Sequence, residues 1–224
     1  MVTTDRPNSV AIAAPIAYRA DAGAQGTPAH RHIVRSPVDD YFYVMPNCAY
    51  LAQLELPSGK CVFRTKNISD AFSWKGWSGH DWTVETVDPY HTPVPPEQLP
   101  RYTAAAVNTR LSGGLTWVTS ARAFVLLGTT TNHADGLNQV EYQWSEDLIS
   151  WSEPQVLVKL HHTSGIRDGK GALYPTMLDP SDTSRNFERF GSAGHIYWLE
   201  FACAGEGACW NRDVVRRPLR VVKV

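Results

Sequence analysis

The sequence contains little methionine, no excess of either charge and no long apolar run, and these shortages exclude several classes of protein. Its 224 residues include three Met, and 21 Lys and Arg stand against 22 Asp and Glu, for a net charge of −1. Because a near-neutral chain lacks a field that attracts phosphates, we expect no nucleic-acid partner. The apolar stretch at 11–17 is interrupted by Pro15 and too short to cross a bilayer, so we expect no membrane partner.

Cysteine is also scarce, and its spacing argues against a metal centre. The four cysteines lie at positions 48, 61, 203 and 209. No closely spaced Cys or His pair is matched by a second pair, so we expect no metal and no cofactor. We predict that Cys203 and Cys209, which flank a short loop, lie close enough to bond. For this pair, two reduced thiols are the alternative. We expect Cys48 and Cys61 to be out of register, which disfavours a bond between them.

Strand-forming residues are abundant, and two segments repeat one pattern. Eight Trp and nine Tyr, together with many Thr and Val, favour strands over helices. Residues 61–74 and 140–151 each contain an alternating strand, a polar turn and a tryptophan, with further apolar strands before and after. The repeating object is therefore a whole antiparallel sheet. Repeated small sheets predict an all-β fold of the β-propeller type.

Three sheet-like blades can be placed along the chain, after an N-terminal segment at 1–29 that we expect to be largely irregular. The blades cover approximately residues 30–88, 102–159 and 171–224, and a proline-rich segment separates the first two. Because propellers close with four to eight blades, three are too few. Either the N-terminal segment builds a fourth blade, or missing N-terminal blades or another chain close the propeller. We expect the chain to be the C-terminal portion of a longer protein.

Several segments carry a resemblance to a known family. Residues 173–191, followed by 195–199 and 212–220, resemble the last blade of bacterial five-bladed β-propellers related to glycoside hydrolase family 43 and the sialidases. Residues 33–43 are similar to the innermost strand, Asp-containing turn and aromatic second strand of that family. Residues 145–151 resemble its degenerate Asp-box turn, in which we expect Asp147 to accept backbone N–H bonds and Trp151 to pack between sheets.

The resemblance implies binding of a carbohydrate in an axial pocket, and hydrolysis in the active members. Those members place an aspartate base on the first blade, a second aspartate that tunes its pKa, and a glutamate acid on a middle blade. No residue here matches the base, and no motif supplies two carboxylates at the separation that hydrolysis needs. Whether the chain is a glycoside hydrolase-like enzyme therefore stays open. The alternative is a non-catalytic propeller, or a propeller fragment, that binds a glycan or a protein partner.

Candidate site residues follow from the propeller geometry, because only innermost strands and the loops that join blades reach the axis. Imidazole, ammonium and aromatic side chains there could orient or stack on a sugar. The candidate binding residues are His30, His32, Trp117, Lys170 and Tyr174, and Asp168 is the candidate catalytic residue. Each also has a structural interpretation: a solvated loop for the histidines, a plain connection between blades at 165–174, and ring packing for Tyr174.

Other conspicuous residues are assigned structural roles. The tryptophans on alternating strands or sheet-packing turns are interpreted as core residues: Trp74, Trp77, Trp82, Trp144 and Trp198. Glu141 alternates with Tyr142 on a strand away from the axis, so we expect a solvated carboxylate. No signal peptide is visible near Met1, so extracellular and cytoplasmic locations both stay open.

Overall fold

The fold is built from β-strands, nearly all of them antiparallel. A computed structural model describes residues 2–3, 10–11, 14–15, 32–48, 59–87, 95–98, 107, 109, 111, 113–132, 134, 137–163, 170–184, 187–202 and 211–222. Within these residues the helical content is a short 3-10 turn at Pro96–Gln98, and no helix is long and apolar enough to span a membrane. The predicted all-β, propeller-type class is confirmed.

The chain divides into two compact units, Met1–Asn108 and Thr109–Val224. The described residues of the first unit form ten short strands. They are β1 (Val2–Thr3), β2 (Val10–Ala11), β3 (Ala14–Pro15), β4 (Ile33–Arg35), β5 (Phe42–Val44), β6 (Asn47–Cys48), β7 (Gly59–Lys60), β8 (Phe63–Thr65), β9 (Lys75–Gly76) and β10 (Val84–Val87). The main sheet of this unit has six strands in the order β3-β10-β9-β8-β5-β4. The β6–β7 hairpin branches from it between β5 and β8.

The second unit contains the longer strands. They are β11 (Leu115–Val118), β12 (Ala123–Thr131), β13 (Leu137–Ser145), β14 (Gln155–Thr163), β15 (Lys170–Leu178), β16 (Arg189–Phe190), β17 (Ala193–Ala202) and β18 (Asn211–Arg220). They form a five-stranded sheet, β14-β13-β12-β11-β16, and a three-stranded sheet, β15-β17-β18. Buried side chains such as Leu127, Val140, Ile196 and Trp198 form one core across these two sheets.

The division into three blades stays a prediction, and three strands depart from the pattern on which it rests. The strand β3, from the N-terminal segment expected to be largely irregular, pairs with β10 at the edge of the first sheet. In the first predicted blade, the short strand β9 pairs with both β8 and β10, and the sequence pattern does not predict a strand at this position. In the third predicted blade, β16 belongs to the five-stranded sheet and not to the sheet of β15, β17 and β18. It pairs in parallel with β11, where Trp117 lies opposite Arg189. This pairing supplies hydrogen bonds to β11, including Trp117 N–H to Glu188 O at 2.9 Å, and fully buries Phe190. Exchange of a short strand satisfies backbone groups that an open edge would leave unpaired.

The repeated turns have the same construction in both units. The hydroxyl oxygens of Thr65 and Ser145 accept the N–H of the residue two positions later, at 2.9 and 3.3 Å. The side chains of Asn67 and Asp147 then accept a backbone N–H two residues further on, at 3.1 and 2.8 Å. Asp147 also accepts the N–H of Ser150 at 2.7 Å. The predicted role of Asp147 is confirmed.

Trp151 closes the second of these turns. It is buried, and its Nε1 donates to the Leu148 carbonyl at 3.0 Å. Burial opposes ionisation of Asp147, but the N–H donors of Ser150 and Ile149 outweigh it, so the pKa of the Asp147 carboxyl lies below its ordinary value. The turn therefore depends on a charged carboxylate at its head.

The disulfide chemistry differs from the expectation. Cys61 is disulfide-bonded, so the prediction that bonding would favour the other pair over Cys61 is wrong for this residue. Its N–H donates to Pro46 O at 3.0 Å, while Cys48 lies opposite Gly59, so Cys48 and Cys61 are not in direct register. Cys203 and Cys209 lie outside the described residues.

Candidate functional site

The predicted site residues are distributed unevenly over the structure. His30 and Asp168 lie outside the described residues. Lys170 begins β15, where its backbone pairs with Ala202. Trp117 on β11 is only 5% exposed, and its ring packs edge-on against Phe124 with centroids 4.7 Å apart. The structure therefore places Trp117 in the core, because the β16 strand and Phe124 leave little of its ring accessible.

Among the predicted site residues whose side chains the structure describes, Tyr174 has the greatest exposure. It lies where the register of β15 shifts between Leu173 and Thr176, and its φ is 58°, in the left-handed region. Its side chain is 45% exposed. A β-bulge turns a side chain away from the regular alternation, and a non-glycine residue at positive φ is strained. The bulge therefore presents the Tyr174 ring to solvent at a conformational cost. His32, directly before β4, is half-buried.

The bulge packs against the start of β11. Gly114 N–H donates to Pro175 O at 2.9 Å. A Cβ on Gly113 would lie 2.5 Å from Leu127 O and 2.9 Å from Pro175 O, so only glycine permits this approach. The two sheets of the second unit thus meet beside Tyr174, and the role of this residue in binding stays a prediction.

A second site, which the sequence analysis did not predict, lies on the first unit and is here termed the aromatic–arginine cluster. Its members are Tyr41, Tyr43, Arg64, Trp77 and Trp82. The Arg64 guanidinium carbon lies 4.3 Å from the centre of the Tyr41 ring and 4.2 Å from that of Trp82. A planar guanidinium between two rings keeps its edge N–H groups directed away from the ring faces.

The other rings extend the cluster and hold it in place. Trp77 and Trp82 lie with ring centroids 5.3 Å apart, and Tyr43 packs edge-on against Trp82 at 5.8 Å. Strand register explains the arrangement, because Tyr43 on β5 lies directly opposite Arg64 on β8. Tyr43 is buried, whereas Tyr41, Trp77 and Trp82 are each partly exposed. Part of each of these three rings is therefore accessible.

One carboxylate completes the cluster. The Tyr43 hydroxyl donates to Asp39 Oδ2 at 2.6 Å, and Arg64 Nη1 lies 3.8 Å from the same oxygen. Burial, with the added effect of the Asp39 hydrogen bond, raises the pKa of Tyr43 to about 12, so this phenol stays protonated and donates at neutral pH. Lys66 adds a further cation, 4.8 Å from the centre of the Tyr41 ring.

Sequence reasoning missed this cluster for an identifiable reason. Tyr41, Arg64 and Trp82 come from three separate segments, and the β6–β7 hairpin lies between the first two. Tyr43 and Arg64 become opposite residues only if β5 and β8 pair in the observed register across the intervening β6–β7 hairpin. No local sequence pattern encodes that register. The feature that the sequence did offer was the short spacing between Trp77 and Trp82.

Burial corrects several assigned roles, and Trp74, Trp77 and Trp82, which were expected in the core, are partly exposed. Glu141, expected to be solvated, is 3% exposed and accepts a 2.6 Å hydrogen bond from Gln139 Nε2. Its face of β13 is buried, and Gln143 on that face accepts a 2.7 Å hydrogen bond from the Thr109 hydroxyl. Trp144, expected in the core, is 44% exposed because it lies near the end of β13 on the opposite side. Trp198 is buried as predicted.

The part of the chain that the structure describes contains no group of three or more His, Cys, Asp or Glu side chains arranged to hold a metal ion. Comparison with known proteins finds no family model, no curated protein and no solved structure that matches this chain. The functional interpretation therefore rests on the site residues themselves.

Proposed function

We propose that the protein binds a carbohydrate and that the aromatic–arginine cluster of the first unit is the binding surface. The observation that carries the proposal is the Arg64 guanidinium, which lies 4.3 Å from the centre of the Tyr41 ring and 4.2 Å from that of Trp82, both partly exposed. Flat ring faces pack against the C–H faces of a sugar, while a fixed guanidinium edge donates hydrogen bonds to its hydroxyl groups. The cluster combines both kinds of contact within one small patch.

Preorganisation supports this interpretation. Arg64 is held by two rings and the Asp39 carboxylate, and Tyr43 holds Asp39 through its hydroxyl. Side chains that are already ordered lose little conformational entropy when a ligand binds. A sugar, whose hydroxyl groups need donors and acceptors in defined directions, benefits most from such a surface.

Binding without cleavage is the activity that the cluster supports best. Hydrolysis needs a carboxylic acid and a second carboxylate on opposite sides of the glycosidic bond. Asp39 is the carboxylate that hydrogen-bonds within the cluster, and the neighbouring Asp40 is paired with Arg35 at 2.6 Å. We therefore propose a glycan-binding, non-catalytic role for this surface, and membership of the family 43-like propellers remains part of the proposal.

The test is a binding titration of the full chain against soluble xylan, arabinan, β-glucan and galactomannan, by affinity electrophoresis and calorimetry. Trp82→Ala removes one of the two aromatic rings over which the Arg64 guanidinium lies. Binding should weaken at least about tenfold, as it does when a central aromatic contact is lost. Trp144→Ala is the matched control, because that ring is exposed on the second unit. Equal loss in both variants, or no binding to any polymer, would refute the proposal. Specific capture of a protein would favour the protein-partner alternative.

A further inference from the structure

One face of the three-stranded sheet in the second unit is exposed along β18, where it carries a row of arginines, and half-buried along most of β17. Its other face contributes Met177, Ile196 and Trp198 to the core. Strand register assigns the remaining positions to the accessible side, here termed the outer face. Its members are Gly171, Leu173, Thr176 and Leu178 on β15; Ala193, His195, Tyr197, Leu199 and Phe201 on β17; and Arg212, Val214, Arg216, Pro218 and Arg220 on β18.

The outer face combines apolar and aromatic surface with positive charge. Val214 is 68% exposed, and Leu173 is also exposed. Tyr197 and His195 lie side by side with ring centroids 6.1 Å apart. No outer-face position on these three strands carries a carboxylate. The nearby acids point the other way, since Glu200 lies on the core side and accepts a 2.9 Å hydrogen bond from Trp198 Nε1.

The arginines form a ladder with a defined spacing. Arg212, Arg216 and Arg220 are all exposed and recur at every fourth position of β18. Four residues of a strand span about 13 Å, so the ladder extends over roughly 26 Å. One small anion cannot reach more than one of these guanidinium groups. The spacing therefore favours an extended ligand with several negative charges.

The edge of the sheet argues against a peptide that adds as a further strand. β18 is an edge strand of its sheet. Val221 N–H points toward β17, where it donates to Ser192 O at 2.9 Å. Alternation along the strand places the nitrogen of Pro218 on the opposite, open edge, where proline has no N–H to donate. Proline and charged side chains at an edge oppose strand addition, so recognition falls to the side chains of the outer face.

We propose that the outer face binds an acidic polysaccharide, a chain of uronic acid residues whose carboxylates pair with Arg212, Arg216 and Arg220. Guanidinium and carboxylate form short, two-point hydrogen bonds, and the sugar rings would lie on Tyr197 and the apolar residues beside it. This surface is separate from the aromatic–arginine cluster. Trp82→Ala leaves it unchanged, and the two proposals can fail independently.

The experiment measures binding of galacturonic acid and its oligomers of increasing length to the full chain, at low and high salt. Affinity should rise with oligomer length and fall with salt, because several ion pairs form along the strand.

The double variant Arg216→Gln, Arg220→Gln should bind long oligomers at least about tenfold more weakly. Val214→Glu, which adds a carboxylate to the same face, should also weaken binding. Arg217→Gln is the control, since it removes the same charge from β18 but stacks over Trp198 at 5.3 Å.

Thermal melts of each variant check that the fold is intact. Length-dependent binding that is lost in the double variant and retained in Arg217→Gln supports the proposal. An equal loss in Arg217→Gln would overturn it in favour of general charge attraction. Equal affinity for a DNA duplex would indicate a nucleic-acid surface instead. Self-association that is broken by Val214→Glu, with no oligomer binding, would show that a second copy of the chain covers the face.

Discussion

Arg64 is the residue on which the geometry of the aromatic–arginine cluster depends. Its planar guanidinium lies over both rings, 4.3 Å from the centre of Tyr41 and 4.2 Å from the centre of Trp82. Lysine has the same charge but no planar group to fill the space between two rings. Charge and shape at this position can therefore be separated by a single substitution.

We expect Arg64→Lys to abolish most glycan binding while costing only about 1 kcal/mol of folding stability, the scale of a partly exposed cation–π contact. Calorimetric titration with the best-binding polymer measures the first quantity, and chemical denaturation measures the second. Retention of full affinity by the lysine variant would mean that charge alone attracts the ligand.

Tyr174 raises a different question at the residue scale, because its exposed ring is held at a φ of 58°. Tyr174→Gly removes both the ring and the strain, whereas Tyr174→Ala removes the ring and keeps the strain. We expect the glycine variant to be more stable than the alanine variant by about 1 kcal/mol. Thermal and urea unfolding of the pair measure the difference, and equal stabilities would show that this backbone is unstrained.

At the scale of secondary-structure elements, the local turns could be predicted from the sequence and the long-range strand pairings could not. The repeated turn after β8 and after β13 was predictable, because the side chains that build it are local: Thr65 with Asn67, and Ser145 with Asp147. The parallel pairing of β16 with β11 was not predictable. It joins positions about 70 residues apart, such as Trp117 and Arg189, and no short-range pattern encodes such a contact.

The turn at Asp147 has a predictable dependence on pH. The pKa of its carboxyl is lowered in the folded state, so the stabilisation is present above the ordinary aspartate pKa of about 4 and is lost as pH falls through the folded value. Asp147→Asn should cost up to about 1 kcal/mol at pH 7, reduced by solvent screening. The difference from the natural chain should shrink in urea melts as acid is added.

Glu146→Gln is the control for this experiment, because it changes the charge of the residue directly before Asp147. A gap between the natural chain and Asp147→Asn that stays constant from neutral to acidic pH would contradict the assigned role of the carboxylate.

At the scale of the whole molecule, the sequence was a good guide to the sheets and a poor guide to the sites. Alternation and turn residues indicated an all-β chain, because strand period and turn chemistry are local properties. Sites depend on which strands become neighbours. Trp117 was expected to contact a ligand but is buried, and the position of Arg64 in a site follows only from its pairing with Tyr43 on the neighbouring strand.

The arginines near the C-terminus also show that position in the sequence does not determine position in a site. Arg216, Arg217 and Arg220 form a visible cluster in the sequence, but its meaning changes once the strand is in place. Arg217 turns toward the core side and stacks over Trp198, while Arg216 and Arg220 share the outer face. Adjacent residues of a strand face opposite sides, so a cluster in sequence becomes two different environments in the fold.

The most direct test of the central claim is an NMR titration of the indole N–H signals with the polymer that binds best. The account predicts that the signals of Trp77 and Trp82 shift in a saturable manner, because both indoles line the aromatic–arginine cluster. The signal of the buried Trp198 and that of the exposed Trp144 should stay in place. Saturable shifts at Trp144 with none at Trp77 or Trp82 would contradict the account and would place the carbohydrate on the second unit.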